Sequence, residues 1–241
     1  MRRFTNLLVG VLCMPLFLFG QNAEKNDYRL AELTYIKVKV GMEKKFVEAV
    51  KVHNEEYHSE SPHQAGLYYI TTGQEAGWFI WAMGGFTFTE LDDAPGEGAH
   101  MDDWRKTIAP YVAEYGRTEY WRFAKELSVT NDISEPLETI WFMDIKRGEY
   151  YRFKAFMEKV KLIHEKMGDE IHLWTNEFHQ PDGRDVAVVW PMENWAELDK
   201  EDWKIREEYN NEYGEGAWDN ALEEWEDIIV ELSQEVWRSV R

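Results

Sequence analysis

The 241-residue sequence is written twice, and this constrains the fold most, because two like units in one chain must find an arrangement for each other. Five short blocks recur in one order. The strand-like run from Glu32 to Val40 is followed by Gly41, and the run from Glu138 to Arg147 by Gly148. FVEAVKV, from Phe46 to Val52, lines up with FMEKVKL, from Phe156 to Leu162. Glu90-Leu91-Asp92 matches Glu197-Leu198-Asp199, Gly96-Glu97-Gly98-Ala99 matches Gly214-Glu215-Gly216-Ala217, and Glu119-Tyr120-Trp121-Arg122 matches Glu235-Val236-Trp237-Arg238. A further match, Glu114-Tyr115-Gly116 with Glu212-Tyr213-Gly214, breaks the order and is set aside.

Each copy reads strand, helix, strand, strand, helix, strand. Phe46, Val50, His53 and Tyr57 recur at helical spacing, as do Phe153, Phe156, Val160, Ile163 and Met167 in the second copy. The middle strands are expected over 67–72 with 78–83, and over 171–177 with 186–190. Trp104, Ile108, Tyr111 and Tyr115 signal the second helix, with a kink or an earlier boundary at Pro110, and Trp218, Leu222, Trp225 and Ile229 signal its counterpart. Last strands are expected over 119–127 and from 235 onward. The organisation is a leader at 1–20, a first repeat at 28–130, a linker at 131–137 and a second repeat at 138–241.

The leader pairs Arg2 and Arg3 with an uncharged apolar run, LLVGVLCMPLFLF from Leu7 to Phe19. That pattern is a secretory signal peptide cleaved near Gly20, too short for a membrane span of about 20 residues. It predicts a periplasmic or secreted location, with no membrane insertion once the leader is removed. The one cysteine, Cys13, lies inside the leader, so the mature chain needs no disulfide. With 46 acidic and 27 basic residues the net charge is −19, which repels nucleic acid and anionic lipid. Twelve each of Trp, Tyr and Phe supply a large core and exclude a disordered chain.

Alternation along the first strand puts Thr34, Ile36, Val38 and Val40 on the face under the helices and Leu33, Tyr35, Lys37 and Lys39 on the other. In the second copy Trp141, Met143 and Ile145 separate in the same way from Ile140, Phe142, Asp144 and Lys146. The third strands, Trp78 to Met83 and Val186 to Trp190, are apolar on both faces, so each sheet needs cover on both sides. The other copy's sheet is the available cover, packed face to face.

A βαββαβ unit whose bare sheet face meets a second such unit resembles the dimeric α+β barrel superfamily, which includes the NIPSNAP proteins and the antibiotic-biosynthesis monooxygenases. The resemblance covers residues from Tyr28 to Arg241 and rests on the strand-Gly-helix openings at Gly41 and Gly148 and on the aromatic strands. It implies an α+β fold of tandem ferredoxin-like repeats, packed sheet to sheet as a single-chain pseudo-dimer that is otherwise monomeric. It also implies a choice of roles: small-molecule binding, cofactor-free oxygenation, or haem binding and degradation. Haem is the one cofactor it admits, and none is implied by the sequence itself.

The candidate ligand-binding set is the barrel-facing one: Tyr35, Lys37, Tyr69 and Thr71 from the first copy, with Phe142, Asp144, His172, Trp174 and Asn176 from the second. Convergent polar groups in an apolar wall make a pocket for a small apolar or aromatic molecule. The competing reading is a buried Lys37–Asp144 salt bridge that only fixes the register of the sheets. His53 and His164, on equivalent helices, are candidate acid/base groups or haem ligands, or hydrogen-bonded core histidines. No metal site is expected, because His53, His58 and His63 fall every five residues and share no helical face. Three functions follow: an exported small-molecule-binding protein, a cofactor-free monooxygenase or haem enzyme, and a non-catalytic envelope or interaction protein.

Overall fold

The computed structural model describes residues 28–130, 135–179, 183–199 and 203–240. The leader, most of the linker and part of the acidic segment after Asp199 lie outside the described residues. Eight strands form one closed antiparallel barrel in the order β1-β3-β2-β8-β5-β7-β6-β4. In the first half, β1 (Leu30–Val38) lies between β3 (Phe79–Phe86) and β4 (Val112–Phe123), and β2 (Ala65–Ile70) flanks β3. The second half repeats that pairing with β5 (Leu137–Ile145), β6 (His172–Asn176), β7 (Val186–Met192) and β8 (Ile229–Ser239). The halves do more than stack. β2 pairs with β8 and β4 with β6, so no strand edge is left to seek a partner.

Helices cover the outside. α1 (Glu43–Tyr57) packs on the first half through Phe46 and Val50, against Ile36, Val38, Phe79 and Trp81. α2 (Phe88–Leu91) and α3 (Ala99–Asp103) are short, and α3 runs into a π turn at Trp104–Ile108 and a 3-10 turn at Ala109–Tyr111. The expected helix through Tyr115 therefore ends early. Pro110 cannot continue it, and Tyr115 belongs to β4, paired with Ile36. On the second half, α4 (Tyr150–Met167) buries Phe153, Phe156, Val160 and Ile163 against Met143, Ile145, Val186 and Val188, α6 (Ala217–Ile228) buries Ala221 and Ile228, and α5 (Trp203–Tyr213) adds Ile205 and Tyr209. Among the described residues no helix is long and apolar enough to cross a membrane.

The strand faces expected for β1 and β5 hold: Ile36, Val38, Met143 and Ile145 lie under helices, whereas Tyr35 and Phe142 lie inside the barrel. For β2 the phase is opposite to that expected. Tyr68 and Ile70 face the lumen, and Tyr69 packs outward on Phe79 at 5.2 Å. The lumen is a third core of Tyr35, Ile70, Ile80, Trp121, Ile140, Phe142, Ala187, Val189 and Trp237.

Candidate functional site

One end of the lumen is filled by charge. Arg184, 3% exposed, donates to both oxygens of Glu119 at 2.9 and 3.3 Å, to Glu235 at 3.4 Å and to the Tyr35 hydroxyl, with its guanidinium 3.4 Å from the Phe142 ring centroid. Each glutamate in turn accepts the indole N–H of the tryptophan two residues on: Trp121 to Glu119 at 3.0 Å, Trp237 to Glu235 at 2.6 Å. The Glu-x-Trp-Arg blocks recognised in the sequence thus occupy matching places on β4 and β8, where Glu119 pairs with Leu33 and Glu235 with Ile140. Their shared cation has no counterpart. Tyr35 pairs with Ile80 and Phe142 with Ala187, so the register position of Arg184 in the first half is Gly77. Burial pushes the Glu235 carboxyl up, opposed by the Arg184 charge.

The other end is open. A cavity of about 510 Å³ lies there, within the usual size range of small-molecule pockets, with Phe142, Trp121 and Trp237 as a floor it shares with the charged plug. Tyr68, Trp174, Ile140 and Val189 wall it, and Glu138 and His172 bring polar atoms. By strand register these polar groups stand opposite small residues of the other half: Glu138 corresponds to Ala31 and His172 to Gly66. Space has opened on one side of the lumen and chemistry has collected on the other. Burial, and then the charge of Glu170, raise the Glu138 carboxyl to about 7, and the Glu138 charge followed by burial raises the Tyr68 phenol. His172 Nε2 lies 2.7 Å from Glu170, which orients the ring. A carboxyl that titrates near neutrality beside an aromatic cavity can take up or release a proton under ordinary conditions.

The sequence-predicted residues divide. His172 and Trp174 line this cavity, Phe142 is its floor, and Tyr35 lies deeper, bonded to Arg184. Tyr69 faces away from it, and Thr71, one residue past the end of β2, bonds through its N–H to the Val236 carbonyl at 2.8 Å. Asn176 clamps a loop, donating to the Arg184 carbonyl at 3.1 Å and accepting from the Phe178 N–H at 3.0 Å. Lys37 reaches Glu114 at 3.8 Å with both side chains about half exposed, rather than a buried Asp144. Asp144 lies at the opposite barrel end from the aromatic cavity, beside Asp185 in an open groove. Glu138, Tyr68 and Arg184 were not singled out by sequence reasoning. Glu138 stood only as the first residue of a strand, and Arg184 sits in a polar turn that reads as solvated.

His164 is buried between α4 and the sheet, at a cavity of about 140 Å³ walled by Trp141, Phe156, Trp190 and Trp225. His53 is buried on the other half, its Nδ1 2.7 Å from Asp103, and beside it stand His58 and His100. The expectation of no convergent metal ligands fails here, because the third member, His100, comes from α3, 42 residues beyond His58.

No family model matches the chain, and no curated protein does. Solved structures do. A candidate monooxygenase from Lactobacillus acidophilus superposes with a TM-score of 0.55 at 11% identity, over 88% of this chain and 94% of that one. A second, from Fusobacterium nucleatum, gives 0.55 at 10%, over 88% and 93%. Chlorite dismutase from Candidatus Nitrospira defluvii, solved with imidazole, gives 0.54 at 9%, over 88% and 91%. At these identities the likeness is one of fold: the chain is an α+β protein with the antiparallel barrel architecture of the monooxygenase-like and chlorite dismutase-like structures.

Proposed function

We propose that the open end of the barrel binds a small, largely apolar, aromatic molecule and exchanges a proton with it through Glu138. The observation that carries this reading is a carboxyl titrating near 7 in a cavity of about 510 Å³ whose walls are Tyr68, Trp174 and Trp237. Flat rings stack on such walls, and one ionisable group among them orients what binds. The test uses N-phenyl-1-naphthylamine, a neutral probe whose emission rises on leaving water. It is expected to bind once per chain and to quench tryptophan emission. Ala82→Phe, which fills the cavity, is expected to lower affinity at least tenfold, and Glu138→Gln to abolish the pH dependence of binding near 7. Equal affinity in wild type and Ala82→Phe would overturn the reading.

The catalytic form of this proposal is cofactor-free oxygenation. Glu138 would remove a proton from an acidic C–H or phenol held against Trp174, leaving an electron-rich anion of the kind that dioxygen oxidises. The monooxygenase-like neighbours favour this form over a purely structural envelope role. Haem does not fit at His164 or His53: the cavity at His164 is about 140 Å³, below the 300 Å³ or more that ligand pockets occupy, and His53 is hemmed in by Asp103, Tyr57 and Trp104.

Two further readings rest on the sequence. The repeated strand pairing and the matched Glu-x-Trp-Arg blocks support descent of both halves from one ferredoxin-like unit, fused into a NIPSNAP-like pseudo-dimer. The arginine-led apolar leader supports export to the periplasm or beyond, and N-terminal sequencing of the mature protein is expected to begin near residue 21 rather than at Met1.

A further inference from the structure

We propose that His53, His58 and His100 form a binding site for a divalent transition-metal ion of the zinc type, on the outside of the barrel and separate from the aromatic cavity. One ligand atom from each of the three lies within 4.8 Å of the others. His53 and His58 are fully buried, His100 partly so. α1 carries His53 on its apolar face and ends at His58, and α3 brings His100 across.

Two features distinguish this cluster from histidines that merely pack. The first is the way the outer nitrogens are held. His53 Nδ1 donates to the Asp103 carboxylate at 2.7 Å, and His58 Nδ1 donates to the His63 carbonyl at 3.0 Å. Each bond places the ring hydrogen on Nδ1 and leaves Nε2 as a lone pair, the carboxylate- or carbonyl-oriented form that metal-ligating histidines adopt. The Thr107 hydroxyl donates back to the Asp103 carbonyl at 2.8 Å and stands 3.4 Å from its carboxylate. A π turn begins directly after Asp103, an irregularity often found at functional sites.

The second feature is what these lone pairs meet. His53 Nε2 is buried and has no hydrogen-bond partner, an unusual state for so polar an atom. His58 Nε2 and His100 Nε2 face each other at 3.0 Å. A cation would satisfy both arrangements at once. Two nitrogens at about 2.0–2.1 Å from one zinc ion and at a tetrahedral angle are about 3.3 Å apart, close to the spacing already present. Without an ion, His100 must donate to His58 from Nε2, and His53 Nε2 stays a buried, unpartnered acceptor. Three imidazoles suit zinc, copper, nickel or iron rather than calcium or magnesium, and they leave one coordination position to water. Tyr57, Trp81 and Trp104 pack around the rings at centroid distances of 5.0–5.2 Å and keep them from turning away.

The test titrates the full-length chain with Co²⁺ alone, whose visible absorption reports nitrogen ligands and low coordination number, and then displaces it with Zn²⁺. One Co²⁺ per chain is expected to give that absorption. His100→Ala, at the partly exposed member, is expected to lower affinity at least 100-fold, and Asp103→Asn 10- to 100-fold, because the carboxylate orients His53 without binding the ion. Surface carboxylates on so acidic a chain bind cations loosely, so the comparison with His100→Ala is the decisive one. Equal binding by wild type and His100→Ala, or no saturable binding by the wild type, would overturn the proposal. Should His100→Ala fail to fold, ring ¹⁵N spectra of the wild type replace it: on adding Zn²⁺, resonances of three of the seven histidines are expected to move, and unmoved resonances would overturn the site.

Discussion

Arg184 joins both halves of the molecule through one side chain, and its surroundings set what its loss would do. It answers two carboxylates, Glu119 and Glu235, both buried, and these, with the Tyr35 hydroxyl and the Phe142 ring, offset the burial of its charge. Arg184→Leu takes from Glu235 its hydrogen-bonded cation and leaves Glu119 with only the partly exposed Arg117, 3.6 Å away, at a cost of about 3–5 kcal/mol. Adding Glu119→Gln and Glu235→Gln is expected to recover much of that loss, since an amide oxygen still accepts each indole N–H, and denaturant midpoints would show it. A small effect in the single variant would mean that water reaches the plug. Glu138 predicts a pH effect of opposite sense to the usual carboxylate. Its folded-state pKa, about 7, lies above the ordinary 4.5, so the folded protein holds the proton more tightly than the unfolded chain. Stability from this group is gained as pH falls from about 7 towards 4.5, and the penalty is full above 7. Glu138→Gln is therefore expected to exceed the wild type by about 2–3 kcal/mol at pH 8 and to lose that advantage below pH 4.5.

Strands differ in how tightly they are specified, and glycine shows where. Gly116 on β4 sits beside Trp78 and Tyr35, and a Cβ there would stand 2.8 Å from Trp78 Cζ3 and 3.1 Å from Tyr35 Cβ. Gly116→Ala is expected to cost about 1–3 kcal/mol by overpacking, whereas Gly66→Ala, with nothing within 4 Å, is expected to stay within about 0.5 kcal/mol in the same thermal melts. The same contrast explains what the sequence revealed of each element. In β1 and β5 one face is evenly apolar, so alternation set the phase. In β2 the adjacent Tyr68 and Tyr69 are alike, alternation has no phase, and a one-residue slip exchanges lumen for helix side. Trp104, Ile108, Tyr111 and Tyr115 kept a helical period across what is really a π turn, a 3-10 turn and the start of a strand. The charged plug and the histidine cluster depended on residues distant in sequence: Glu119 to Arg184 spans 65 positions and His58 to His100 spans 42, and no local period encodes such meetings.

At the scale of the whole molecule, barrel closure decides whether either half could exist alone. Each seam between halves is short, with Tyr68, Tyr69 and Ile70 of β2 on β8 and Trp121, Arg122 and Phe123 of β4 on β6. What the seams enclose is large: separated, the first half would expose Tyr35, Ile70, Ile80 and Trp121 together with two unpaired strand edges. Such an apolar face exceeds what soluble monomers tolerate, and open edges invite pairing with other chains. A fragment of residues 28–130 is therefore expected to aggregate or to form a homodimer with its own kind. The dimer would differ from the native barrel in one respect. The plug would carry Glu119 from each copy with Gly77 in the place of Arg184, so each carboxylate would keep only its own partly exposed Arg117, 3.6 Å away. Without the Arg184 bonds to Glu119 and Tyr35 that join the native halves, the fragment dimer is expected to be held more weakly than the full chain and to come apart on dilution. Light scattering after size exclusion across a dilution series at pH 7 measures this directly. A stable, soluble monomer at pH 7 would show that one sheet can cover its own inner face, and the closed eight-stranded barrel would then not be what holds the halves together.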